Sequence, residues 1–219
     1  MANSKKVAVV LAGNGVYDGS EIHEATLTLL AIVQQGASYQ AFAPDIEQAH
    51  VVNHLTGEEM DETRNVLVEA ARIARGNIKP LDKFNAAEFD AIIFPGGFGA
   101  AKNLCSFAFD GVDCVVNPDV EKAIKAMVAA HKPVGALCIS PVIIAKVLGN
   151  VKVTIGQDAV TAQAIESLGG RHVKTTHGEV VVDEQYKVAT TPCYMLDATI
   201  GQIADGAENL VKTILELCE

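Results

Sequence analysis

A cysteine at a strand-to-helix corner, two glutamates three residues apart and a glycine-rich turn are the parts of this chain that could do chemistry together. Cys138 stands in Lys132-Pro133-Val134-Gly135-Ala136-Leu137-Cys138-Ile139-Ser140-Pro141. Pro133 to Leu137 reads as a short buried strand, and Pro141 suits the first turn of a helix running through Val142 to Leu148. A nucleophile held on such a corner needs small residues two before and two after it, and Ala136 and Ser140 hold those places. The free N–H groups at the start of the next helix would favour a thiolate over a thiol. An inert buried cysteine is the plain alternative.

Glu21 and Glu24 can share one side of the first turns of a helix, at the carboxyl end of the first strand, where open α/β sheets place their sites. That makes them acid/base candidates, although acidic residues also simply complement a helix dipole there. Pro95-Gly96-Gly97-Phe98-Gly99 follows another buried strand. Backbone N–H groups in such a turn can approach a ligand closely and form an oxyanion hole, while the same glycines also suit an ordinary tight turn. Gly13, Gly15 and Gly19 raise the question of a dinucleotide-binding turn. Their spacing is imperfect, and Asp18, Glu21 and Glu24 would repel a pyrophosphate.

The elements that must position these residues alternate between strand and helix. Val7–Ala12 is an apolar run of the kind buried on both faces of a parallel sheet, and Ser38–Ala43 and Phe89–Phe94 read as a second and a third strand. Ser20 is the expected cap of a helix over Glu21–Gln35, ended by Gly36, with Ile22, Ala25, Leu29, Ile32 and Val33 inward. Met60–Arg75 reads as a helix with Val66, Leu67, Ala70 and Ile73 inward, Cys105–Val116 as loop, and Pro118–His131 as helix. Val151–Ile155 reads as a strand and Gln157–Leu168 as a helix. Glu179–Val182 and Tyr186–Thr190 then suit a hairpin before a last helix over Met195–Leu217, with Ile200, Ile203, Leu210, Ile214 and Leu217 inward. His50 and His54 have a metal-ligand spacing if helical, but no third ligand accompanies them, so no metal site is expected. Arg64 could meet an anionic substrate group, a surface ion pair being the simpler role.

With 219 residues and 49% hydrophobic side chains, the chain can bury one core, and residues 1–219 are read as one domain. A formal charge of −10 argues against nucleic acid or an anionic membrane as partner. No apolar run approaches the roughly 20 residues of a membrane span, and the first residues enter a strand without a signal-peptide core. A cytoplasmic protein is therefore expected. The five cysteines are odd in number and lack CxxC spacing, so neither a disulfide framework nor a zinc cluster is indicated.

The segments G-V-Y-D-G-S-E-I-H-E, P-G-G-F-G-A-A-K-N-L, A-L-C-I-S-P and T-T-P-x-Y-M resemble the ThiJ/PfpI superfamily, and over essentially the whole length the ElbB family within it. The resemblance implies an α/β, flavodoxin-like, class I glutamine amidotransferase-like three-layer sandwich with a mostly parallel sheet. It implies a cofactor-independent glyoxalase that converts glyoxal, a small 2-oxoaldehyde, to glycolate, in a cytoplasmic homodimer. Carried over residue by residue, the nucleophile is Cys138, and the helix-one glutamate is Glu24, with Glu21 one turn earlier. The oxyanion donors fall on Gly96, Gly97 and the elbow, where Ile139 follows the cysteine. Many superfamily members have a histidine after the cysteine or in the strand region beyond it; here Ile139 and Thr154–Gln157 offer none. His177 in His177-Gly178-Glu179 mimics the H-x-E of glutamine amidotransferases, but a surface loop is expected there. Two other readings use the same cysteine: a glutamine amidotransferase subunit needing a partner, and a non-enzymatic redox sensor or chaperone-like protein.

Overall fold

The computed structural model describes residues 4–218. In chain order its elements are β1 (Lys6–Val10), α1 (Ile22–Gln34), β2 (Ser38–Ala43), α2 (Val66–Ile73), β3 (Ile78–Pro80) and β4 (Ala91–Phe94). A π-helical turn (Ala100–Leu104) and the short α3 (Phe107–Asp110) lead to α4 (Pro118–Ala129), β5 (Val134–Leu137) and α5 (Pro141–Leu148). Then come β6 (Lys152–Val153), α6 (Ala159–Ser167), β7 (Arg171–His172), β8 (Val181–Asp183), β9 (Val188–Thr191) and α7 (Ile200–Leu217).

Seven strands form one sheet in the order β3-β2-β1-β4-β5-β9-β8, parallel except for the antiparallel β8–β9 hairpin. Side chains alternate between two cores, as the period of two requires. Ala8, Val10, Ile92 and Phe94 face the side covered by α4 and α5, while Val7, Val9, Ala91 and Ile93 face α1, α2 and α7. The result is the expected three-layer α/β sandwich. After β3 the chain returns to the other side of β1, so a topological switch lies between β1 and β4. Open α/β sheets bind their ligands at the carboxyl ends of the strands flanking such a point.

Several boundaries differ from the sequence expectation for identifiable reasons. Ser20 does not cap α1, because its Oγ accepts from the Ala12 N–H (2.8 Å); Glu21 is the cap, its carboxylate accepting from the Glu24 N–H (2.7 Å). Val33, one position round the helix from buried Ile32, is exposed, as is Ile22 in the first turn. Asn65 caps α2 through Val68 N–H, so that helix starts six residues later than expected. The strand expected over Val151–Ile155 shrinks to β6, because Thr154 N–H leaves the ladder for Thr190 Oγ1 (2.9 Å); β6 pairs with β7 in a separate small sheet. The last helix starts at Ile200, after a capping box of Thr199 and Gln202, and Ile200 itself is exposed. The stretch Cys105–Val116, expected as loop, includes α3. Strands β3 and β7 and the π-helical turn had no distinct sequence signal. Of the N-terminal stretch read for a signal segment, residues 1–3 lie outside the described residues.

Candidate active site

Three segments at the carboxyl ends of β1, β4 and β5 meet at the switch point. Cys138 follows β5 directly and holds a left-handed backbone (φ +59°), a conformation costing a non-glycine residue about 1 kcal/mol or more. The corner is tied down on both sides. Cys138 N–H donates to Thr191 O (3.0 Å), Ser140 Oγ donates to Pro95 O (2.8 Å), and Pro141 opens α5. The small residue at 140 thus also fastens the elbow to the glycine turn.

The two glycine-containing loops interlock. Glu21 N–H donates to Gly96 O (2.9 Å), Phe98 N–H to Val16 O (2.7 Å) and Gly99 N–H to Gly19 O (2.9 Å). Close packing against the 96–99 turn, not the approach of a pyrophosphate, is therefore what this structure asks of the 13–19 loop. Gly96 is required by crowding: a Cβ there would lie 2.6 Å from Glu24 Oε2 and 3.0 Å from Cys138 Sγ. Gly97 has φ +99°, open to glycine and strained for any other residue.

Glu24 is fully buried beside Cys138. Its carboxyl accepts from Gly96 N–H (3.0 Å) and from Tyr194 N–H (3.1 Å). Burial nevertheless pushes its pKa up to about 8; Tyr194 N–H opposes this, the charge of Glu21 adds to it, and Cys138 and Gly96 N–H oppose it weakly. The thiolate expected from the helix terminus does not hold in this ground state. Burial first, then the facing Glu24 and next Cys193, raise the Cys138 thiol well above its ordinary range, and Gly97 N–H opposes the rise. The pair therefore keeps its protons near neutral pH, and any proton leaving the sulfur has Glu24 as its neighbour.

The structure brings Cys138, Glu24, Glu21, Gly96, Gly97 and Ile139 together, with different parts to play. Gly96 N–H is committed to Glu24 and Gly97 N–H faces the Cys138 sulfur, while Ile139 N–H meets no acceptor among the described residues. Glu21 caps α1 and reaches the edge of a cleft of about 420 Å³ that opens on Cys138. His177 is exposed in the turn before β8 and does not line that cleft. His50 lies beside Glu59 and the Phe109 ring, His54 beside Asp18 and Tyr17, so their spacing does not converge on one point. Arg64 pairs with Glu62 and Glu69 away from the cleft.

Sequence reasoning missed three neighbours. Tyr194 supplies a backbone N–H to Glu24 and lines the cleft, and its hydroxyl meets His23 Nδ1 at 2.8 Å. His23 lies within 4.0 Å of Glu21. Cys193 (φ +42°) is buried on the Cys138 side of the sheet. The segment T-T-P-x-Y-M was the available signal, but only the meeting of β9 with β5 gives it a role.

Comparison with known proteins gives the chain its relatives. A rat protein named ES1 protein homolog, mitochondrial, is 49% identical over 222 residues, covering 97% of this chain and 84% of its own. The human glutamine amidotransferase-like class 1 domain-containing protein 3, mitochondrial, is also 49% identical, covering 97% of this chain and 83% of its own. A solved Ehrlichia chaffeensis isoprenoid biosynthesis protein with amidotransferase-like domain superposes with TM-score 0.93 at 35% identity, over 99% of this chain and 100% of that one. Candida albicans glyoxalase III superposes with TM-score 0.64 over 98% of each chain at 15% identity, a likeness of fold alone. No protein-family model matches the chain. The fold is thus class I glutamine amidotransferase-like. The rat and human proteins, like an ES1 protein of Danio rerio, are named as mitochondrial, and this overturns the cytoplasmic expectation. That expectation rested on the lack of a long apolar run and of a signal-peptide core, features that do not distinguish the two compartments.

Proposed function

The chain belongs to the ES1 family of glutamine amidotransferase-like class 1 domain proteins, whose names specify no reaction, and we propose that it is a cofactor-independent glyoxalase converting glyoxal to glycolate. The carrying observation is the buried contact between Cys138, on its strained elbow, and Glu24, whose pKa lies near working pH. The ElbB-like sequence segments support the same reading.

In the proposed reaction ionised Glu24 takes the Cys138 proton as the sulfur bonds to one aldehyde carbon. The carbonyl electron pair becomes an alkoxide facing the N–H groups of Gly97 and Ile139, and Glu24 returns the proton to it. Glu24 then removes the C–H proton of that carbon, giving an enediol, and the second carbon is protonated. The first carbon has become a thioester and the second an alcohol, an internal oxidation and reduction. Water breaks the C–S bond, releasing glycolate and the thiol, so the net change is one water added to glyoxal. The chain's own thiol supplies the sulfur.

An amidotransferase reading needs a histidine beside the cysteine, and the exposed position of His177 argues against it. The test is glycolate formation from glyoxal without glutathione, with wild type beside Cys138→Ala and Glu24→Gln. Turnover lost in both variants is expected; full turnover in Glu24→Gln would refute the proton shuttle.

A further inference from the structure

Two backbone N–H groups hold the carboxyl of Glu24, and they come from unlike supports. Gly96 N–H belongs to the interlocked 13–19 and 96–99 loops. Tyr194 N–H comes from a short 3-10 turn, Cys193–Met195, that follows β9 and starts on the left-handed backbone of Cys193 (φ +42°). The first N–H groups of a helical turn have no partner inside it, so Tyr194 N–H is free to donate outward to Glu24 Oε1 (3.1 Å). Burial drives the pKa of Glu24 up, and of the groups that oppose it this N–H counts for most, ahead of Cys138 and Gly96 N–H.

The same residue is tied to α1 a second time. Its hydroxyl meets His23 Nδ1 at 2.8 Å, with the two ring centroids 5.9 Å apart. His23 directly precedes Glu24 in the chain, yet its side chain is 48% exposed while Glu24 is fully buried. Among the described residues these are the two hydrogen bonds that join the turn to α1. They close a ring: His23 to Glu24 through α1, Glu24 to Tyr194 N–H, and the Tyr194 side chain back to His23. Burial first, then Glu21, Glu24 and Cys193, raise the Tyr194 hydroxyl above its ordinary range, so it keeps its proton and can donate to Nδ1. A protonated imidazole would donate to the same oxygen, so the ring stays closed in either state.

From this ring we infer that His23 and Tyr194 are positioning residues for the base: their side-chain contact clasps the 3-10 turn to α1 and so keeps Tyr194 N–H on Glu24. A group whose own side chain is fixed holds its neighbour to a narrower geometry than a free one. The groups that face Glu24 are Glu21 from α1, Cys138 after β5, Gly96 N–H after β4, and Cys193 and Tyr194 N–H from the turn. Opening the clasp loosens the member of this set that most favours the ionised base. The inference rests on the reading of Glu24 as the base for Cys138 and makes no demand on which aldehyde is used.

The test reads the Glu24–Cys138 pair without relying on turnover. Full-length wild type, Tyr194→Phe, His23→Ala and His23→Asn are alkylated with iodoacetamide across a pH series, and the rate at Cys138 is followed by peptide mass spectrometry. That rate follows the loss of the proton the pair shares. Tyr194→Phe and His23→Ala should each raise the midpoint by about half a unit to one unit, since two or three N–H groups together lower a carboxylate by about two units. The plateau rate should be kept. His23→Asn, whose amide has a polar atom near the place of Nδ1, should restore the wild-type midpoint. Unchanged midpoints, a plateau lost at an unchanged midpoint, or a His23→Asn shift equal to that of His23→Ala would each overturn the clasp. On the same samples kcat/KM for glyoxal at pH 7 should fall about threefold to tenfold in Tyr194→Phe and His23→Ala. If the alkylation midpoints move as expected while wild type forms no glycolate, the glyoxalase reading falls and the clasp stands. If wild type forms glycolate and the midpoints do not move, the clasp falls and the glyoxalase reading stands.

Discussion

The carboxyl of Glu24 and the thiol of Cys138 press on the same face of Gly96, one fully buried and the other 7% exposed, although 114 positions separate them in the chain. Each alters the other's hold on its proton, Glu24 raising the thiol and the thiol slightly lowering Glu24. They titrate as a pair, and the pH dependence of the protein should report that pair.

Turnover should rise with pH. With Glu24 near 8, the ionised base is about 1% of molecules at pH 6 and about 10% at pH 7, so kcat/KM should climb about tenfold per unit and level off above pH 8. A profile that stays flat between pH 6 and 8 would remove Glu24 as the base.

Glu21→Gln should move that profile without abolishing it. The amide oxygen can still accept from Glu24 N–H and cap α1, but the charge that helps to raise Glu24 is gone. The midpoint should shift to lower pH, with the plateau rate kept. Loss of turnover at every pH would instead make Glu21 a proton carrier in its own right.

Stability should respond to Glu24 with the opposite sign from an ordinary ion-paired carboxylate. Its folded value of about 8 lies above the ordinary 4.5, so the unfolded chain gives up this proton first. The stability linked to this proton is complete below about pH 4.5 and falls as pH rises through 8, by a few kcal/mol in all. Glu24→Gln loses carboxylate hydrogen bonds at every pH but escapes this decline. The difference in unfolding free energy, variant minus wild type, should therefore grow between pH 5 and 8.5 in denaturant titrations; a constant difference would contradict the buried-acid assignment.

Cys138→Gly should be more stable than Cys138→Ala, by about 1 kcal/mol. Both remove the sulfur, but only glycine adopts φ +59° without strain. Chemical denaturation of the two variants decides it, and alanine being the more stable would mean that the elbow relaxes.

Gly96→Ala should cost about 1–3 kcal/mol and slow turnover, because the new methyl collides with Cys138 and Glu24 at once. Unfolding midpoint and glycolate formation are measured together. Unchanged values in both would show that the pair can move apart freely.

Much of this was legible from local pattern. The run Val134–Leu137, small residues at 136 and 140, and proline at 141 determine the elbow, because strand, sharp turn and helix start are each set by neighbouring residues. The alternating apolar strands determine the parallel sheet, and the positions of Glu24 and Gly96 at strand ends follow from it. Tertiary structure alone decided what depends on burial and on distant backbone. The thiol's high pKa arises from desolvation and a carboxyl brought from α1, not from the adjacent helix end. Gly96 N–H serves Glu24 rather than a substrate, Ser20 serves Ala12 rather than α1, and Tyr194 enters the site from β9. Each of these is a hydrogen bond or a desolvation set by the order in which strands join the sheet, and that order is not written in the spacing of any one segment.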